Sequence, residues 1–226
     1  MGGPTDVVRK GLTTAVDAAI GVNRSAVESY LRRARRGRPE ATPAELIVSL
    51  EKQYVAAVTT PGAAGGAAAA VPGPWSPASL ALNVGEVGGV LGASALFVLA
   101  VAELHGVQVD DLERRRTLLL AVLLGNSGSA FVRDAAGRTA PYWGRAIVRG
   151  IPLATIRNVN SVLRRNFVMK YGSKQGLLVL GRQVPFGLGV AIGAAGNAAL
   201  GRTTVLATRR AFGPAPAGFF LAEQTT

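Results

Sequence analysis

The sequence predicts an all-α fold, a compact multi-helix bundle of seven to nine helices with Gly/Ala-rich, close-packed hairpins. Three observations carry this. Apolar residues recur at helical spacing along most of the chain. Capping and breaking residues stand where such helices should begin and end. No alternation of strand-like and helix-like runs is present, and a parallel α/β fold needs one.

Residues 4–36 read as two helices. Val7, Val8, Leu12, Val16, Ala19 and Ile20 share one face of the first. Ser25 with Glu28 matches a capping box for the second, and Arg32, Arg33, Arg35 and Arg36 complement the dipole at its end. Thr42-Pro43-Ala44-Glu45 is the clearest helix start: Thr42 caps, Pro43 suits the first helical position, and Glu45 completes the box. That helix is expected to reach about Thr60. A small-residue stretch follows, from Pro61 through Ala70 to the prolines at 72, 74 and 77, and reads as a tight hairpin or re-entrant loop.

Ser76-Pro77 opens a long helix to about Glu103, containing the G-x-x-x-G pairs Gly85/Gly89 and Gly88/Gly92. Glu86 lies inside this segment, which favours close packing in a helical core over transmembrane dimerisation. Asp110 with Glu113 is expected to cap the next helix, whose apolar run Leu118–Leu124 is interrupted at residues 125–129. Residues 134–141 read as a polar loop. Residues 152–168 form a helix with Ile156, Val159, Leu163 and Phe167 on one side and Arg157, Arg164 and Arg165 on another. Gly172-Ser173 reads as a stop and a new cap. A last Gly- and Ala-rich helical segment covers about 183–211, either continuous or broken at Pro185, and residues 213–226 read as a tail.

Composition excludes several chemistries. The chain has no Cys and one His, so disulfides, thiolate catalysis, Cys-ligated metals and two-His zinc motifs are ruled out. Gly125-Asn126-Ser127-Gly128-Ser129 fails the G-x-S-x-G pattern and lacks its strand-turn-helix setting. Gly187, Gly189 and Gly193 do not have dinucleotide spacing. Glu103, His105, Asp110, Asp111 and Glu113 form the densest group of oxygen and nitrogen ligands, but helix capping explains Asp110 and Glu113 without a metal. No cofactor and no metal site is expected, and the chain leans away from being an enzyme.

Charge is the informative quantity. Charged residues are 17% of the chain, against roughly 25% in ordinary soluble domains, yet the net charge is +12. Residues 53–102 hold one charge, Glu86, whereas residues 139–226 carry a net +10. An apolar half is thus joined to a cationic half. Arg145, Arg149, Arg157, Arg164, Arg165, Lys170, Lys174 and Arg182 occur with no acid between residues 141 and 182. Such a face attracts anionic lipid headgroups, or nucleic-acid phosphates by the same electrostatics. The nearby apolar runs favour lipid, and no nucleic-acid-binding motif is evident.

Three runs approach a membrane span: Val87–Ala102, Thr117–Val132 and Gln183–Gly201. The first two reach only about 24 Å as helices, short of a core of roughly 30 Å. All three are expected to be buried core helices or membrane-inserted hairpins. With no export signal and no Cys, the expected compartment is cytoplasmic, with membrane association.

The segments Thr59-Thr60-Pro61-Gly62-Ala63-Ala64-Gly65, Ala70-Val71-Pro72-Gly73 and Leu99-Ala100-Val101-Ala102-Glu103-Leu104-His105-Gly106 resemble the bacterial EcsC family, in an actinobacterial form. So does the ending Val184-Pro185-Phe186-Gly187-Leu188-Gly189 with Ile192-Gly193 and Gly196-Asn197. The likeness covers most of residues 45–214. It implies an all-α, membrane-associated bacterial protein and carries no catalytic residues; Asn197 and its glycines would serve packing. The organisation expected is an N-terminal helical segment (1–40), an EcsC-like helical domain (41–212) and a tail (213–226).

The function expected is that of a non-enzymatic helical protein on the cytoplasmic membrane face, its partners an anionic lipid surface and membrane proteins. A soluble nucleic-acid-binding protein using the same arginines is the alternative. An enzyme would have to use Glu103, His105 and Asp110 or Asp111.

Overall fold

The computed structural model describes residues 4–68, 77–137, 142–181 and 188–220, with side chains for 9–59, 88–137, 142–171 and 196–220. Among the described residues there are nine helices and no strand. They are α1 (Pro4–Ile20), α2 (Arg24–Arg36), α3 (Pro43–Ala68), α4 (Pro77–Leu104), α5 (Leu112–Leu124), α6 (Asn126–Ala135), α7 (Trp143–Arg149), α8 (Leu153–Gly181) and α9 (Leu188–Phe212). Of the hairpin or re-entrant loop expected over residues 61–77, residues 61–68 belong to α3 and residues 69–76 lie outside the described residues.

The strongest start signal is realised as read. The Thr42 N–H donates to Glu45 Oε2 at 2.8 Å, and the Glu45 N–H donates to Thr42 Oγ1 at 3.3 Å. The Thr42 N–H and the Thr42 hydroxyl, which donates to the same Oε2 at 2.9 Å, hold the Glu45 carboxyl below its ordinary range. Two other caps are displaced by one or two residues. Asn23, not Ser25, caps α2: its Oδ1 accepts from the Ala26 N–H at 2.9 Å and from the Ser25 hydroxyl at 2.8 Å. Asp111, not Asp110, caps α5, accepting from the Arg114 N–H at 2.9 Å. In both cases the capping carboxamide or carboxylate sits three residues before the N–H it receives.

Two helices run further than expected. Helix α3 continues through Pro61 to Ala68, and α8 continues through Gly172 to Gly181. One interior glycine costs only about 1 kcal/mol, too little to end a long helix. The proline costs about 3 kcal/mol, and the helix-favouring Ala63, Ala64, Ala67 and Ala68 lie beyond it. Helix α7 is not among those the sequence predicts. Trp143 and Ile147, one turn apart, are both buried. Gly144 lets α7 approach α9; a Cβ there would lie 2.6 Å from the Phe212 ring.

Glycines at positive φ end the elements where backbone geometry demands it. Gly106 has φ +68°, the Val107 N–H returns to the Ala102 carbonyl, and the Gly106 N–H returns to that of Glu103, both at 2.9 Å. Gly125, also at φ +68°, splits the apolar run Thr117–Val132 into α5 and α6.

Helix α5 is the centre of the bundle, with every residue from Thr117 to Leu124 buried. Helices α8, α6, α7, α9 and α1 surround it. Its polar groups are satisfied across interfaces. Thr117 Oγ1 donates to Asn160 Oδ1 at 2.8 Å, and Asn160 Nδ2 donates to the Glu113 carboxylate at 2.7 Å. On the other side of the bundle, Tyr54 and Ser94 share a hydrogen bond of 2.8 Å, and the Tyr54 and Phe97 rings stack at 4.6 Å. Helices α3 and α9 share an extensive interface. There Arg209 grips Glu51 bidentately, at 2.7 and 2.6 Å.

Close small-residue packing occurs at Gly128, Gly144 and Gly201. It does not occur at Gly88, Gly89 or Gly92, where no described residue would lie within 4 Å of an added Cβ. Within the segment read as a tail, Phe219 packs on the core, and a Cβ on Gly106 would meet the Phe220 ring at 2.7 Å. Arg35 lies over the Phe219 ring at 3.9 Å. These contacts escape a reading by composition, because Pro, Gly and Ala around the two rings hide a short apolar anchor.

Tyr171 gives a pH prediction. Its hydroxyl donates to the Leu123 carbonyl at 2.7 Å, and burial pushes the phenol up to about 12. An unfolded tyrosine titrates near 10. The stabilisation is therefore complete below about pH 10 and is lost as pH rises through about 12, a fall of about 3 kcal/mol. Urea unfolding at several pH values should show this decline, and Tyr171→Phe should make it shallower.

Candidate functional site

Helix α8 presents two faces. Ile156, Asn160, Leu163 and Phe167 are buried against α5 and its neighbours, while Arg157, Arg164 and Arg165 are exposed. The spacing explains this, since residues at i, i+4, i+7 and i+11 face one way. Val159 is half-buried at the edge.

The predicted cations whose side chains are described divide among several places. Arg164 and Arg165 line a groove of about 700 Å³ between α8 and α1. The other lining residues are Arg9, Lys10 and Thr13 of α1, and Ser161, Val168 and Met169 of α8. Arg157 is exposed two turns before Arg164 on the same helix. Arg149 is exposed at the end of α7. Arg145 donates to the His105 carbonyl at 3.3 Å, at the C-terminus of α4. Lys170 is half-buried and donates to the Leu124 carbonyl at 3.1 Å, at the C-terminus of α5. Cations at these two places complement helix dipoles. The Lys174 side chain and Arg182 lie outside the described residues.

Arg9 and Lys10 are what sequence reasoning missed. They lie about 150 positions from Arg164. The available signal was the first helix itself: Leu12, Ala15, Val16, Ala19 and Ile20 bury one face, which leaves its charged residues for a neighbour or solvent. Among the described residues that line the groove, four carry positive charge and none is acidic. All four are exposed, so the field they create reaches solvent and concentrates anions near the opening.

A second basic surface lies on α2. There Glu28 takes Arg24 at 2.9 Å and Arg32 at 3.6 Å, while Arg33 and Arg36 are exposed.

Of the residues considered for catalysis, all but the exposed Asp110 have structural employment. His105 is buried, Nδ1 lies 2.8 Å from the Val101 carbonyl, and the ring packs on Phe212 at 5.3 Å. Glu103 faces Gln108 at 3.3 Å and Arg24 at 4.0 Å. Asp111 caps α5, and Glu113 is held by Arg116 at 2.6 Å and by Asn160. Ser127 donates to the Leu124 carbonyl at 3.2 Å. No group of three or more His, Asp and Glu among the described residues is placed to hold a metal ion. Among the described residues, no helix is long and apolar enough to cross a membrane. No family model, curated protein or solved structure matches the chain.

Proposed function

We propose that this is a non-enzymatic helical protein that associates peripherally with the anionic, cytoplasmic face of a membrane. The observation that carries the reading is the α1–α8 groove: four exposed cations from two helices, with no acid among the described residues that line it. Near an anionic bilayer each exposed Lys or Arg contributes about 1 kcal/mol, so four suffice for reversible binding. Arg149 and Arg157 add exposed charge outside the groove. The EcsC resemblance belongs to the same reading, since it implies an all-α, membrane-associated bacterial protein. Flotation with liposomes is the test. The protein should rise with phosphatidylglycerol-containing vesicles at low salt and stay behind with phosphatidylcholine vesicles.

A further inference from the structure

We infer that the groove between α1 and α8 binds one phosphate-bearing amphiphile, with the phosphate among Arg9, Lys10, Arg164 and Arg165 and the hydrocarbon part along Val168 and Met169. The inference rests on the surface reading above and adds to it a ligand class and a place.

Size and charge support it together. The groove is an open concavity of about 700 Å³, room enough for a headgroup and the start of a chain. Cations from two helices gathered at one concavity make the local potential positive, and an anion seated there is attracted by it. Arginine forks match pairs of phosphate oxygens, and a lysine adds a compact charge.

The uncharged lining residues narrow the ligand. The Thr13 hydroxyl donates to the Arg9 carbonyl at 3.0 Å, and that of Ser161 donates to the Asn158 carbonyl at 2.8 Å. With their protons spent on their own helices, both hydroxyls are left as acceptors, suited to a hydroxylated headgroup such as glycerol. Met169 is 58% exposed although α8 could have carried a polar residue there. Next to Val168 it forms an apolar edge for methylene groups, and its unbranched chain adapts to them. A nucleic-acid backbone gains nothing from that edge, and it needs cations spaced along a track rather than gathered in one concavity.

The test uses the full chain and titration calorimetry. Probes are dihexanoyl phosphatidylglycerol below its micelle concentration, inorganic phosphate, and a short DNA duplex. The lipid should bind one molecule per chain, about tenfold or more tighter than phosphate. Arg164→Gln/Arg165→Gln should weaken it by about tenfold or more, because each variant position removes charged hydrogen bonds. Met169→Gln should weaken the lipid but leave phosphate unchanged. Arg33→Gln/Arg36→Gln on α2, which removes equal charge elsewhere, should leave lipid binding unchanged.

Equal affinity for lipid and phosphate would overturn the inference, as would equal losses from the α8 and α2 double variants, or tighter binding of the duplex. Flotation separates this from the broader reading. Wild-type flotation without binding of the monomeric lipid removes the groove site and leaves the surface role standing. Monomer binding without flotation upholds the groove site and removes the surface role.

Discussion

Arg115→Ala should lower the free energy of unfolding by about 4 kcal/mol, a large fraction of what holds a domain of this size together. Arg115 is on α5 and is buried. Its guanidinium donates to the Val109 carbonyl from Nε at 3.2 Å and from one terminal nitrogen at 3.0 Å. The other terminal nitrogen donates to the Ile20 carbonyl at 3.1 Å and the Val22 carbonyl at 2.6 Å. One planar group thus ties the end of α1, the α1–α2 turn and the α4–α5 loop to the central helix. The Ile20 carbonyl belongs to the negative end of α1, which favours a cation there. Truncation leaves three carbonyls without this donor, each costing about 1–3 kcal/mol if buried, and relieves the desolvation of one cation. Arg115→Lys should recover only part of the loss, since an ammonium lacks the fork that spans both sides. Urea unfolding followed by circular dichroism measures this, with the midpoint falling and the slope unchanged. A loss below about 1 kcal/mol would show that the carbonyls find other partners.

Gly128→Ala should cost about 3 kcal/mol, the upper range for an overpacked core. A Cβ on Gly128 would lie 2.4 Å from the Ala121 carbonyl oxygen, 2.7 Å from Ala121 Cα and 2.8 Å from Leu124 Cβ. Two of those atoms are backbone of the central helix, so relief requires α5 and α6 to separate. Gly89→Ala supplies the opposite sign. No described residue would lie within 4 Å of its Cβ, so alanine should stabilise α4 by about 0.5–1 kcal/mol through helix propensity. If both substitutions shift the midpoint the same way, the packing assigned to Gly128 is wrong.

What was legible in the sequence depended on how local its cause is. Thr42 and Glu45 cap a helix through partners three residues apart, and that pattern is visible in a string. Choosing Asn23 over Ser25, or Asp111 over Asp110, needs the φ/ψ of the cap residue, so adjacent candidates look alike. The apolar run Leu118–Leu124 announced a buried helix, and Gly125 its end. Arg115 gave no signal, because two of its three carbonyl partners, Ile20 and Val22, are 95 and 93 positions away. Asn160 looked like an ordinary polar position, and only the approach of α8 to α5 makes it a buried partner of Thr117. The basic run on α8 was plain, whereas its pairing with Arg9 and Lys10 depends on how α1 lies against α8. Conversely, Arg145 and Lys170 belong to the same run by sequence but serve the ends of α4 and α5.

The most direct measurement of the central claim is flotation of the full chain on phosphatidylglycerol/phosphatidylcholine and pure phosphatidylcholine liposomes across a salt series. The account predicts recovery with the anionic vesicles at low salt, progressive loss as the Debye length shrinks from about 30 Å to about 3 Å, and no recovery with neutral vesicles. Equal recovery in the soluble fraction with both lipids at low salt would contradict it.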